Sequence, residues 1–154
     1  MQSAPVEQLR ELLGKAAQEP TSVLDLMLSY HRGHELSGII DFSLRSDGAY
    51  TLRSSERGGL NPRTVAGRLD RERVVAIWSA ADKTRLLDVP SSTRAIGDDE
   101  VPITVELEHG ALSHRLEIWT RDAREHPDFR RFEASLRALL QGLSPGSSEG
   151  EPRA

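Results

Sequence analysis

The stretch IDFSLRSDGAYTL, residues 40–52, decides the fold of this 154-residue chain. Apolar and polar residues alternate on both sides of a Ser-Asp-Gly sequence at 46–48, which is typical of two half-buried strands joined by a turn. A three-residue loop pairs Leu44 with Tyr50 and keeps the apolar residues on one face, whereas a two-residue loop would set them opposite polar residues. The stretch therefore predicts an antiparallel hairpin with Gly48 in the left-handed bulge position.

A second hairpin is predicted over residues 101–118. The positions that alternate on one of its faces are Val101, Ile103, Val105, Leu107, Leu112, His114, Leu116 and Ile118. A two-residue loop at His109-Gly110 pairs Leu107 with Leu112 and keeps these positions together, which predicts a primed turn. The opposite, outward face carries mostly charged side chains and Trp119.

Three segments have the apolar spacing of helices that bury one side. The first lies in residues 1–20, where Ser3 can cap the helix and the Gln-Glu-Pro sequence at 18–20 ends it. The second follows Asp70, a good capping residue, and the third begins at Pro127, a favoured first helical position. The apolar stripes are Val6, Leu9, Leu12, Leu13 and Ala16; Val74, Ile77, Trp78 and Ala81; and Phe129, Phe132, Leu136, Leu139, Leu140 and Leu143.

Residues 24–31 predict a further strand because apolar side chains recur at every second position. These side chains are Leu24, Leu26, Leu28 and Tyr30. A helix capped by residues 21–22 is the alternative for this segment. Residues 64–69 can form a short strand, and loops are expected at 54–62 and 91–100.

This order of elements predicts an α+β fold, in which an antiparallel sheet of two hairpins plus one or two further strands packs against two helices. The extra N-terminal helix, residues 1–20, precedes a single α+β domain at 21–143. Because an isolated helix of this length is marginal in water, it has to dock on the domain or pair with a second copy as a homo-oligomer. Residues 144–154 have no large apolar side chain and are expected to be a disordered tail.

Composition excludes several classes of protein. With no cysteine, the chain has no disulfide, no thiolate nucleophile and no cysteine-ligated metal. A net charge of −4 and the acidic residues interleaved with arginines at 121–131 give no reason to expect a nucleic-acid partner. No apolar run reaches the ~20 residues of a membrane span and no secretory signal is visible, so a cytoplasmic protein is expected.

Residues 31–35, His-Arg-Gly-His-Glu, are the closest approach to a catalytic cluster. His31, His34 and Glu35 are residue types that can bind zinc and activate water, which would suit a metal-dependent hydrolase. Gly33 interrupts every helical zinc spacing, and a polar turn between strands is the alternative. Because no nucleophile, base and oxyanion donors converge, no catalytic residue and no cofactor are assigned.

Two other polar features have competing interpretations. His114 falls on the predicted apolar face, either as a tunable proton-transfer group or as a core histidine satisfied by one hydrogen bond. The carboxylates of Asp98, Asp99 and Glu100 lack the ligand spacing of a calcium loop and are expected to lie in solvent.

Trp119 is predicted on the outward face of the second hairpin, beside Arg115 and Glu117. Exposed tryptophan and arginine dominate binding hot spots, so these residues predict a partner-binding surface that also includes His34 and Glu35. The alternative is that the N-terminal helix covers this face and makes Trp119 part of the core.

The arrangement resembles emfourin, a family of small bacterial protein inhibitors of thermolysin-type metalloproteases. The resemblance is carried by GHELSG at 33–38, the Asp47-Gly48 hairpin, the Leu69-Asp70 helix start, the closing hairpin and the Pro127-x-Phe129 helix. It covers roughly residues 24–140 and implies the fold. His34 and Glu35 stand where the family has a glycine and an aromatic residue, so no site residue is carried over.

The sequence thus predicts a non-catalytic protein-binding module whose partner is another protein. A protease inhibitor is one specific form of this hypothesis, and an accessory subunit of a bacterial assembly is another. The alternative is the metal-dependent hydrolase built on His31, His34 and Glu35.

Overall fold

A computed structural model describes residues 4–34 and 36–143 of the chain. The helices are α1 (Ala4–Gln18), α2 (Arg71–Lys83), α3 (Thr120–Glu125) and α4 (Pro127–Leu143), and the strands are β1 (Leu26–His34), β2 (Gly38–Arg45), β3 (Ala49–Glu56), β4 (Leu60–Arg68), β5 (Pro102–His109) and β6 (Leu112–Trp119). The strands form one antiparallel sheet in the order β4-β3-β2-β1-β5-β6. The α+β fold is confirmed, with β1 and β4 as the two strands beyond the hairpins. The predicted tail at 144–154 lies outside the described residues.

The β2–β3 hairpin has the predicted register. Leu44 pairs with Tyr50, and the loop between the strands has three residues. Gly48 has a φ of +100°, and a Cβ atom added there would come within 2.8 Å of the Leu69 carbonyl oxygen. The turn therefore needs glycine for its backbone angle and for the close approach of the chain that leads into α2.

The β5–β6 hairpin turns one residue later than predicted, which shifts the strand pairing by two residues. His109 pairs with Leu112 and Leu107 with His114, so the loop is Gly110-Ala111 rather than His109-Gly110. A shift of two residues keeps every side chain on its predicted face, which is why the apolar pattern alone does not distinguish the two registers. The observed loop puts Gly110, at a φ of +58°, in the first turn position, where type II′ turns need glycine.

Strand β1 begins two residues after the predicted start. Leu26 and Tyr30 are fully buried, as expected, but Leu24 is 73% exposed. Asp25, with a positive φ of 62°, turns the backbone just before the strand and takes Leu24 out of the alternation. The prediction that Leu24 belongs to the buried face is therefore wrong.

Strand β4 is longer than the segment predicted at 64–69. It starts at Leu60 and pairs with β3 along most of its length, so the loop predicted at 54–62 shrinks to a 3-10 turn at Arg57–Gly59. The polar composition of this segment, which favours a loop in sequence, is compatible with a strand at the sheet edge because both its faces are largely exposed.

The three long helices pack as their sequences predict. Helices α2 and α4 also begin where predicted, whereas Ser3, the predicted cap of α1, lies outside the described residues. The Asp70 carboxylate accepts a hydrogen bond from the Arg73 N–H at 2.9 Å and caps α2. Helix α1 docks on its own chain, since Leu9 and Leu13 are buried in the common core. Arg10 of the same helix also donates to both carboxylate oxygens of Asp88, at 2.9 and 3.3 Å.

The helices cover one face of the sheet and leave the other open. Every buried apolar residue of the strands belongs to the covered face, together with the buried stripes of α1, α2 and α4. The open face carries polar side chains such as Ser29, Asp41 and Arg53, none of which is buried. One-sided burial of this kind is typical of antiparallel sheets. No helix within the described residues has the length and apolar character needed to cross a bilayer.

Candidate functional site

The two histidines of the predicted metal cluster lie at different places on β1. His31 is paired with Asp41 on one neighbouring strand and Thr104 on the other, whereas His34 is the last residue of the strand. Three residues apart on a strand, the two side chains project from opposite faces. Glu35 lies outside the described residues. Within residues 4–34 and 36–143, no group of three or more histidine, aspartate or glutamate side chains is placed to hold a metal ion.

The glycines of the GHELSG segment have a structural role. Gly33 and Gly38 are placed at the base of the β1–β2 turn with φ angles of +96° and +90°, and a Cβ on Gly33 would meet the Gly38 carbonyl oxygen at 2.2 Å. Ser37 closes the turn by donating its backbone N–H to the carbonyl oxygen of His34 at 3.0 Å. The segment is therefore a tight hairpin connection that displays His34 at its exposed corner.

Trp119 lies at the end of β6 on the open face. The helix α1 packs on the opposite face, so the alternative in which α1 buries Trp119 is wrong. The loop at 91–100 covers it in part instead: the indole Nε1–H donates to the Arg94 carbonyl oxygen at 2.8 Å, and the Trp119 backbone N–H donates to Ser92 Oγ at 2.9 Å. The ring is thus half-buried and held in one orientation.

Glu100 fixes the loop that holds Trp119. Its side chain is only 3% exposed, and both its oxygens accept from the Arg94 guanidinium at 2.7 Å. The backbone N–H groups of Gly97 and Arg121 donate to the same carboxylate at 2.7 and 3.0 Å. Expecting Glu100 to lie in solvent with Asp98 and Asp99 is therefore wrong.

The same contacts explain the acidity of Glu100. The bidentate Arg94 hydrogen bonds, aided by the backbone donors of Gly97 and Arg121, lower its pKa to about 2, although removal of water opposes the shift. Asp122 adds a second acidic partner to Arg94 at 3.2 Å and accepts from Ser92 Oγ at 2.5 Å. Sequence reasoning missed this cluster because a carboxylate run looks the same whether one member is buried or not.

The charged residues near Trp119 on β5 and β6 pair with one another. Arg115 donates to Glu117 at 2.9 Å and lies 4.0 Å from Glu106. Burial raises the pKa of Glu108 on β5, and the neighbouring Glu106 carboxylate on the same strand raises it further. This half of the open face is thus acidic, with Arg115 as its basic member beside Trp119.

The predicted binding residues share one end of the sheet without forming one contact cluster. His34 ends β1 and Trp119 ends β6, and β5 lies between these two strands. Since β1 and β6 run in the same direction, both residues lie at the same end. Arg115 and Glu117 extend from Trp119 along β6, so Trp119, Arg115 and Glu117 form a continuous strip and His34 a separate point.

His114 lies on the helix-covered face near α1. Its Nε2 atom is buried and has no hydrogen-bond partner among the described residues, which differs from a satisfied core histidine. Burial lowers the pKa of this imidazole, and the positive charge of Arg10 lowers it further. The negative charge of Asp88 acts in the opposite direction. The neutral ring is therefore the form that the fold favours.

This burial gives a testable pH dependence of stability. Because the folded chain takes up a proton on His114 less readily than the unfolded chain, whose histidine titrates near 6.5, the free energy of unfolding should fall as the pH drops below that value. Urea unfolding at pH about 7.5 and about 5.5 should show a smaller loss for His114→Gln than for the wild type. His109→Gln, at the end of β5, is the matched control. An equal loss of unfolding free energy in the wild type and both variants would show that His114 does not cause the pH dependence.

Comparison with known proteins adds no family to this description. No protein-family model matches the chain, and no curated protein matches it at a significant level. The class that the fold defines is an α+β protein with a six-stranded antiparallel sheet, helices on one face and the other face open.

Proposed function

We propose that this protein is a non-catalytic protein-binding module that uses the strip formed by Trp119, Arg115 and Glu117. The observation that carries the proposal is the state of Trp119, which is half-buried on the sheet face that the helices leave open. Its indole and its backbone N–H each donate a hydrogen bond to the loop at 91–100. An aromatic side chain that is already ordered loses little conformational freedom on binding. Tryptophan and arginine are among the residue types most enriched in binding hot spots.

The loop network supports the same proposal. Glu100 and Arg94 hold the backbone that accepts the indole N–H, so the strip is organised before any partner arrives. A protease inhibitor and an accessory subunit are two forms of this function. The resemblance to emfourin favours the inhibitor, and the target would then be a thermolysin-type metalloprotease.

The inhibitor form is tested by titrating the purified chain against thermolysin. We expect inhibition that weakens about tenfold or more in Trp119→Ala and Arg115→Ala, since hot-spot truncations cost at least that much affinity. Arg53→Ala is the control, because Arg53 lies on the same open face but on β3. Absence of inhibition would contradict the inhibitor form.

The broader proposal is tested by affinity capture from the native cell extract with the wild type and the same variants. A partner that the wild type retains and Trp119→Ala loses is the expected result. Equal retention of every specific partner by both variants would show that the strip is not the binding surface. Stoichiometric zinc in the purified protein, lost in His34→Ala, would contradict a purely non-catalytic role.

A further inference from the structure

The two edge strands of the sheet, β6 and β4, differ in whether another segment of the chain covers them. Along β6, the Ser92 N–H donates to the Glu117 carbonyl oxygen at 2.8 Å and the Glu117 N–H donates to Ser91 Oγ at 3.1 Å, so a chain segment covers that edge. Within residues 4–34 and 36–143, no segment pairs with the outer edge of β4, and eight of its nine residues are exposed. Apart from Pro62, which has no N–H, the outward N–H and C=O groups of β4 are thus available to an added strand.

An apolar cleft adjoins β4 on the helix-covered side of the sheet. It has a volume of about 200 Å³ and lies between α4 and the strands β2 and β3, with Ile40, Leu52 and Leu140 among its lining residues. Val65 of β4 is paired with Leu52 and is half-buried against the core. Alternate side chains of a strand added to β4 would therefore extend this apolar surface.

Two arginines that have no acidic partner within residues 4–34 and 36–143 flank the cleft. Arg137 of α4 lines it, and Arg63 of β4 is paired with Ser54, another lining residue. Neither guanidinium forms a hydrogen bond or ion pair with the described part of the chain. In contrast, Arg32 in the adjoining cleft donates to Glu133 at 2.6 Å and is already neutralised. The uncompensated positive charge is complementary to carboxylates.

We propose that β4 binds an extended acidic peptide segment of a partner protein as a seventh strand of the sheet. Carboxylates of the peptide would pair with Arg63 and Arg137, and apolar side chains between them would cover Val65 and the cleft. A second copy of this chain is a poorer occupant, because β4 has no acidic residue that could pair with Arg63 of the other copy. This site is at the opposite edge of the sheet from Trp119 and does not rest on the function proposed above.

The test uses the full chain and a fluorescein-labelled peptide of about ten residues, a typical strand length. Every second residue of the peptide is serine and the positions between them alternate glutamate with valine, so that both side chain types project from one face, as Arg63 and Val65 do on β4. We expect saturable binding by fluorescence anisotropy and slower amide hydrogen exchange in residues 60–68, which is the signature of strand addition. The affinity should fall about tenfold in Arg137→Glu and in Arg63→Glu. Arg115→Glu, on the other edge strand, should bind as the wild type does.

Other outcomes would overturn the proposal. Equal binding of a matched peptide with lysine in place of glutamate would exclude carboxylate recognition, and unchanged hydrogen exchange in residues 60–68 would exclude strand addition. Protection of those residues that rises with protein concentration in the absence of peptide would assign the edge to a second copy. A further outcome is that the wild type fails to bind the peptide and the Glu149→Gln/Glu151→Gln double variant binds it. This would show that the chain's own acidic C-terminal segment competes for the site.

Discussion

Replacing Leu9 by alanine should lower the free energy of unfolding by about 2–5 kcal/mol, the range for a buried leucine that leaves a cavity. Leu9 is fully buried on α1, at the contact of this helix with the rest of the core. The loss should be visible as a lower urea midpoint with an unchanged slope, because the native core loses contacts while the unfolded chain changes little.

The control for this prediction is Leu24→Ala. This substitution removes the same atoms from a side chain that is 73% exposed, so it should change stability by no more than about 0.5 kcal/mol. Equal effects of the two substitutions would show that α1 is not docked on its own chain. A homo-oligomer built through α1, the alternative from the sequence, would then become the better explanation of its apolar stripe.

Substitution of Glu100 by glutamine should release the loop at 91–100 and weaken binding through Trp119 about tenfold, to the same extent as a hot-spot truncation. An amide keeps the size of the carboxylate but cannot accept from Arg94 with both of its polar atoms, and it removes the charge of the pair. The Arg94 guanidinium would keep Asp122, at 3.2 Å, as its acidic partner but lose the bidentate pair that holds the loop. Amide hydrogen exchange of residues 91–100 should rise in this variant.

The acid stability of the protein should change in the same variant. Because Glu100 has its pKa lowered from 4.5 to about 2 in the folded chain, its contribution to stability is complete above about pH 4.5 and is lost as the pH falls toward 2. Glu100→Gln should therefore show a shallower decline of the unfolding free energy over this interval. Asp99→Asn is the control, since the Asp99 side chain is 85% exposed. A decline as steep as that of the wild type would contradict the role of Glu100.

The two proposed surfaces divide the molecule between opposite sheet edges. The Trp119 strip is on the edge that the loop at 91–100 covers and holds in place, and the β4 site is on the edge that no other described segment covers. Their variants can thus be combined in one set of binding experiments. Each serves as a control for the other, because Arg115 and Arg63 are on different strands and different faces.

The two hairpins show when the alternation of apolar and polar residues is enough to predict the strand register. In the β2–β3 hairpin, a change of one residue would put apolar side chains on the polar face, so the pattern predicts the register of Leu44 and Tyr50 correctly. In the β5–β6 hairpin, the competing registers differ by two residues and leave the faces identical. The choice there depends on the turn itself, where Gly110 adopts a positive φ that His109 would take only at a cost.

The sequence by itself determined the three long helices, the faces of the strands and the α+β class, because hydrophobic spacing and capping act between residues close in the chain. It did not predict the short helix α3. Only the tertiary structure decided the strand order, the side of the sheet that α1 covers and the partners of the polar groups. Arg94 and Glu100, which look like ordinary loop residues, become a bidentate ion pair with a buried carboxylate when the loop meets β6 and α3. Contacts of this kind depend on which segments meet in space, and residue periodicity carries no information about that.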